Sequence, residues 1–196
     1  CKNPLNFVFI QNLKNEVTPI NKFRENLLKI LNEIHPVWEP TAYTTKGGYQ
    51  TLGNLFDSKD SEILKLQKII KKQIINYREI YKNSEDLFIK NWPIKSNFRG
   101  WYVKLVKQGH QKSHIHPTGW LSGVFYLKVP KLLNKNEGAI EFTLYGYDYP
   151  DYKNLPNLIY KPKIFDIALF PSSLFHRTIP FGSQEERQVI AFDLVP

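Results

Sequence analysis

Methionine is absent from this chain, and cysteine occurs once, as Cys1. A lone thiol excludes an intramolecular disulfide, so the fold stands without covalent staples and pairing says nothing about the redox compartment. Without methionine, residue 1 cannot be a translation start, and the expectation is a domain excised from a longer protein. No run approaches the ~18 apolar residues of a membrane span, and no signal-like stretch is present. A soluble, cytoplasmic domain is expected, with no membrane partner. Internal repeats and low-complexity segments are missing as well.

What is present is enough to build a core. The 196 residues are 42% hydrophobic and 14% aromatic, a composition of folded rather than disordered chains and a length suited to one domain. Lys and Arg number 27 against 18 Asp and Glu, a net charge of +9. Much of the excess is spread along one stretch, as Lys65, Lys68, Lys71 and Lys72, the solvated face of a predicted helix. No basic cluster is interleaved with stacking aromatics, so nucleic acid is not the expected partner.

Along the chain, LNFVFI (5–10) has strand character. Thr18-Pro19 reads as an N-cap and a first-turn proline, opening a helix that His35-Pro36 stops. His35 then sits at a helix C-terminus, not in a site. Gly47, Gly48 and Gly53 mark loop with a short strand near Tyr49–Leu52. A second helix spans Ser61 to Tyr81, with Ile63, Leu64, Leu66, Ile69, Ile70, Ile74, Ile75 and Tyr77 as its apolar stripe. From Asn97 onward the texture becomes alternating and β-branched: FRGWYVKLV, LSGVFYLKV, AIEFTLYGY, KIFDIALF and RQVIAFDLV. Five such segments predict an antiparallel sandwich or barrel, with residues 1–97 as mainly helical support and 98–196 as the β core of a single α+β domain.

The chemistry concentrates in that second half. His114 and His116 in SHIHP are two apart, and on an extended strand they project the same way, about 7 Å apart. His176 in FPSSLFH would return from a distant strand, and Arg187 follows in EERQVIAF. Neutral imidazoles suit borderline metals such as Fe, Zn, Cu and Ni. A guanidinium matches a carboxylate with both prongs of its planar fork. Together the four residues point to a metal and an acidic co-substrate. His110, beside Gly109 in an expected turn, is placed outside the ligand set.

The run GHQKSHIHPTGWLSGVFYLKVP, followed by LFPSSLFHRTIPF and ERQVIAFDL, resembles the Fe(II)- and 2-oxoglutarate-dependent oxygenases. It is most similar to a bacterial group with an HxHP…SGVYYL signature, some members of which are fused to tetratricopeptide repeats. The resemblance is clearest over 98–196. It implies a double-stranded β-helix, a jelly-roll and cupin-like core, with Fe(II), 2-oxoglutarate and O2 as cofactors and co-substrates and ascorbate as a possible reductant. By position it makes His114 the first metal ligand, His176 the distal one and Arg187, eleven residues later, the anchor of the far carboxylate.

Two departures stand out. His116 occupies the place of the usual aspartate or glutamate, and Val189 stands where a serine often follows the arginine. A third imidazole leaves the metal charge uncompensated by its protein ligands, which opens both the metal's identity and His116's ligation. The missing serine calls for other hydroxyls near the co-substrate, for which Ser122, Tyr126 and Tyr102 are the candidates. Trp101, Trp120, Phe125 and Phe175 are candidates to keep the site dry, and LYGYDYPDYKNLPN (144–157) is a candidate substrate loop.

The activity implied is hydroxylation of a C–H bond on a peptide or protein side chain or a small metabolite, with release of succinate and CO2. Two alternatives compete. A cupin-type metalloenzyme also uses HxH and a distal histidine after a proline, here Pro171, but it wants a glutamate where Trp120 and Leu121 stand. A non-catalytic binding module on the same fold is the other. Halogenation is disfavoured because it calls for a small residue at position 116.

Overall fold

The computed structural model describes residues 3–131, 134–147 and 155–196. Two helices cover one side of a curled antiparallel sheet. The chain opens with a 3-10 turn, Pro4–Phe7, before strand β1, Phe9–Asn12, so the expected first strand starts later than its apolar run. Helix α1 is Ile20–Glu33, with Pro19 itself at the N-cap and no side-chain cap bond, one residue later than the Thr18 cap expected.

Helix α2 is Ser61–Tyr81, as the periodicity predicts, and Asp60 caps it by accepting from the N–H groups of Glu62 and Ile63. Its stripe is narrower than expected. Ile63, Leu66, Ile70, Ile74 and Tyr77 are buried, at three- and four-residue spacing, whereas Leu64 and Ile75 face solvent. The third helix, α3, is a single turn, Leu87–Lys90.

Strand β2, Val37–Trp38, pairs with β3, Thr45–Gln50, and β3 in turn pairs with β4, Asn97–His114. The remaining strands are β5, Leu121–Lys128, β6, Ile140–Thr143, β7, Asn157–Tyr160, β8, Asp166–Pro171, β9, Phe175–Thr178, and β10, Arg187–Val195. Their order is β1-β8-β5-β10-β4-β9-β6-β7. Strands β7 and β9 lie outside the five segments read from the sequence; four residues are too few for alternation to stand out.

Strand β4 belongs to both walls. Its first half, Asn97–Leu105, runs against β10, and its second half reaches β9 through Gln111 and His114. Between them the ladder to β3 slips, Gln108 takes a φ of 64°, and Gly109 packs on Gly47. A Cβ on Gly109 would meet the Gly47 carbonyl oxygen at 2.5 Å. This bend turns a flat sheet into a roll: a double-stranded β-helix.

Alternation along the strands divides the core in two. Leu121, Phe125, Ile190 and Phe192 face outward against Phe23, Leu27, Leu31 and the α2 stripe. Val103, Leu105, Val124, Tyr126, Phe142, Phe170, Val189 and Ala191 fill the inside of the roll. The candidate site lies at the open end of this inner layer.

Candidate metal centre and carboxylate anchor

His114 ends β4 and His176 lies in β9, where the two are direct cross-strand partners. Their rings are 4.3 Å apart between centroids. His116 is not on the strand. It falls in the turn after β4, where its N–H donates to the Ser172 carbonyl (2.9 Å) and its own carbonyl accepts from Gly119 N–H (3.0 Å). The turn nevertheless returns its ring to 5.1 Å from His114 and 5.0 Å from His176. One ring nitrogen from each of the three lies within 4.8 Å of the others, a group able to hold a metal ion.

The other ring nitrogens are already engaged. Nδ1 of His114 meets the Lys112 carbonyl at 2.7 Å, and Nδ1 of His176 meets the Leu174 carbonyl at 3.0 Å. A carbonyl can only accept, so both Nδ1 atoms carry the proton and Nε2 presents a lone pair. Burial, reinforced by the neighbouring His116, pushes the His114 pKa down to about 4. Burial also holds His176 well below the usual imidazole range. Both rings are therefore neutral near pH 7, the form that binds metals.

His116 has a different partner. Its Nδ1 lies 2.6 Å from Asp193 Oδ1 and 3.0 Å from Ser122 Oγ. Ser122 donates to the same Oδ1 at 2.6 Å, and Ser172 Oγ stands 2.8 Å behind it. Asp193 was not among the residues singled out from the sequence, yet a signal was there. It interrupts an apolar strand at the same parity as Arg187, Val189 and Ala191, which is the inner face.

Arg187 begins β10, is 1% exposed, and lies 5.0 Å from the centre of the Tyr126 ring. Among the described residues its Nε and Nη1, and the Tyr126 hydroxyl, are buried with no hydrogen-bond partner. Burial lowers the Arg187 pKa and raises that of Tyr126. A guanidinium stays charged even so, and a dry cation without a counter-charge costs several kcal/mol. An anion with two oxygens set against this fork would offset that cost. The guanidinium thus suits a carboxylate, and the three imidazoles suit a metal.

The other expected residues divide by face. Tyr126 joins Arg187 on the inner face. Ser122 shares that face but lies at the His116 end, where its proton already goes to Asp193. Tyr102 is displaced from the set: it belongs to the outer core with the helices, because Trp101, Val103 and Leu105 take the inward positions of β4. Trp101 does reach the site, 5.4 Å from His116. Trp120 stacks on Phe88 and Phe125 lies in the helix-facing core, away from the histidines. Phe170, 4.6 Å from the His176 ring, and Phe142 stand there instead.

His110 lies within β4 rather than in a turn, and it is outside the histidine group. Of the expected substrate loop, residues 148–154 lie outside the described residues. A cleft of about 250 Å³ opens onto His114 and His116, walled by Tyr43, Thr44, Gln50, Thr51, Arg99, Trp101 and Gln111. The N-terminal segment therefore supplies a wall of the site as well as support for the sheet.

Among the described residues no helix is long and apolar enough to cross a membrane. No curated protein matches the sequence. Solved structures do match its fold: a prolyl-4-hydroxylase from Pseudomonas putida at TM-score 0.63 and 12% identity, over 96% of this chain and 91% of that one. A prolyl hydroxylase from Trichoplax adhaerens, in complex with a hypoxia inducible factor peptide fragment, matches at TM-score 0.66 and 15% identity, over 97% and 84%. HygX from Streptomyces hygroscopicus, with nickel and 2-oxoglutarate bound, matches at 0.65 and 11%, over 96% and 82%. Residues 99–193 match the family described as "Putative 2OG-Fe(II) oxygenase". That stretch contains the histidine triad, Arg187 and Asp193, and over it the chain matches the 2-oxoglutarate-dependent Fe(II) oxygenases.

Proposed function

We propose that this protein hydroxylates a C–H bond of a peptide side chain or small organic molecule, holding Fe(II) on His114, His116 and His176 and 2-oxoglutarate on Arg187. The observation that carries the reading is a pairing inside one roll. Three imidazoles offer convergent nitrogens, and a buried guanidinium has Nε and Nη1 without partners among the described residues. When bound, iron and 2-oxoglutarate supply the oxidising chemistry, consuming O2 and releasing succinate and CO2.

The chain's own residues do the rest. Carbonyls of Lys112 and Leu174 fix the tautomers of His114 and His176. Arg187 pairs with the far carboxylate, and the Tyr126 hydroxyl adds a donor beside it. Phe142 and Phe170 close the inner side against water. The cleft past Trp101 and Arg99 admits the substrate to the histidine side. A prolyl hydroxylase with a bound peptide and HygX with bound hygromycin B share the fold, which supports both substrate classes.

The test is succinate release from 2-oxoglutarate by purified protein with Fe(II), ascorbate and O2, across peptide and small-molecule candidates. Arg187→Ala is expected to weaken 2-oxoglutarate on the order of 100-fold, from a loss of about 3 kcal/mol at a buried charge pair. Metal that stays bound after His176→Ala, or succinate release equal in wild type and Arg187→Ala, would refute the assignment.

A further inference from the structure

The acid missing from the histidine cluster lies one residue behind it. We propose that Asp193 is a positioning residue that orients His116 and, through it, lends the metal centre the negative charge its three imidazoles lack; this rests on the metal-centre reading above.

His116 needs such a partner more than the other two histidines do. His114 and His176 are on paired strands, and each donates its Nδ1 proton to a carbonyl two residues earlier. His116 lies past the end of β4, on a turn. There a carboxylate 2.6 Å from Nδ1 replaces the carbonyl, with the acid 7% exposed. Among the described residues the ring that meets the Asp193 carboxylate is that of His116, through Nδ1.

Hydrogen-bond directions define the arrangement. Ser122 donates its one hydroxyl proton to Asp193 Oδ1, so Ser172 donates to Ser122, and Nδ1–H of His116 donates to the same Oδ1. Nε2 of His116 is left as the lone pair facing His114 and His176. A Cβ on Gly119 would come within 2.5 Å of Ser172 Oγ, so a glycine is required for the turn to close over these groups. A carboxylate hydrogen-bonded to a ligating imidazole raises the ring's basicity, and losing it typically costs 10–100-fold in metal affinity.

The experiment measures Ni(II) binding to the full chain by competition with a chromophoric chelator, for wild type, Asp193→Asn, His116→Ala and the double variant. Asp193→Asn keeps the shape and removes the charge, and it is expected to weaken binding about 10–100-fold. In the His116→Ala background the same change is expected to have no further effect, because Asp193 acts through His116; a merely structural loss would persist there. The Co(II) ligand-field spectrum should shift in Asp193→Asn relative to wild type, and adding Asp193→Asn to His116→Ala should bring no further shift.

Binding within about twofold of wild type, or an equal loss in both backgrounds, overturns the proposal. If Asp193→Asn does not fold, Ser122→Ala decides: weaker binding supports the proposal and unchanged binding overturns it. A wild-type protein that binds no Ni(II) sinks the metal-centre reading itself, a different failure from a metal-binding wild type that Asp193→Asn does not alter.

Discussion

At the scale of single residues, burial decides charge. His114 is buried and its pKa pushed down to about 4, so between pH 4 and 6.5 the unfolded chain takes up a proton that the folded one refuses. The sign follows: this residue's contribution to the stability of the metal-free protein is fully present above about pH 6.5 and is lost as pH falls toward 4. The loss from this residue reaches about 3 kcal/mol. Thermal melts of metal-free protein across that window check it, and a flat profile contradicts it. Tyr126→Phe removes one donor beside Arg187 and should raise KM for 2-oxoglutarate roughly fivefold, from about 1 kcal/mol. Tyr102→Phe, on the outer face, should leave KM unchanged. Residue types and the spacing of the histidines and arginine were readable in the sequence. Which tyrosine faced inward was not, because that depends on strand register, which a single residue's slip inverts.

At the scale of elements, α2 was legible in its span, Ser61–Tyr81, whereas the Asp60 cap and the narrower buried stripe emerge only from the structure. Asp60→Ala should cost about 1 kcal/mol, read as a lowered denaturation midpoint with kcat and KM unchanged. Strand β4 was legible only in its first half. Its bend depends on Gly109 lying against Gly47 on another strand, a contact between residues far apart in sequence. Gly109→Ala places a methyl group against the Gly47 backbone and should destabilise the protein by about 1–3 kcal/mol. Because His114 lies five residues beyond the bend, metal affinity should fall with it, measured on the folded fraction. Four-residue β9, which carries His176, owes its strand character to β4 and β6 on either side.

At the scale of the whole molecule, the helices and the site occupy opposite faces of one sheet. Leu27 is fully buried in the helix-facing core, while the histidines and Arg187 line the roll. Leu27→Ala should therefore cost about 2–5 kcal/mol of stability, seen as a lower melting temperature. Ni(II) affinity per folded molecule should match wild type, since no residue of the inner layer is changed. The segment around Tyr43 and Thr51 joins the two functions. It leaves the helical half of the chain and walls the cleft that the β half opens.

The amino-acid sequence by itself determined the two long helices and most strands of the roll, because these rest on local periodicity, and it singled out the histidines and Arg187 by residue type and family resemblance. It left open how the site copes without an acidic ligand at position 116. Only the tertiary structure shows which acid stands nearby, by returning β10 alongside β5 so that Asp193, seventy-seven residues downstream, meets His116 beside Ser122. Long-range pairing of strands sets such contacts, and no local pattern encodes which buried acid will face which ring.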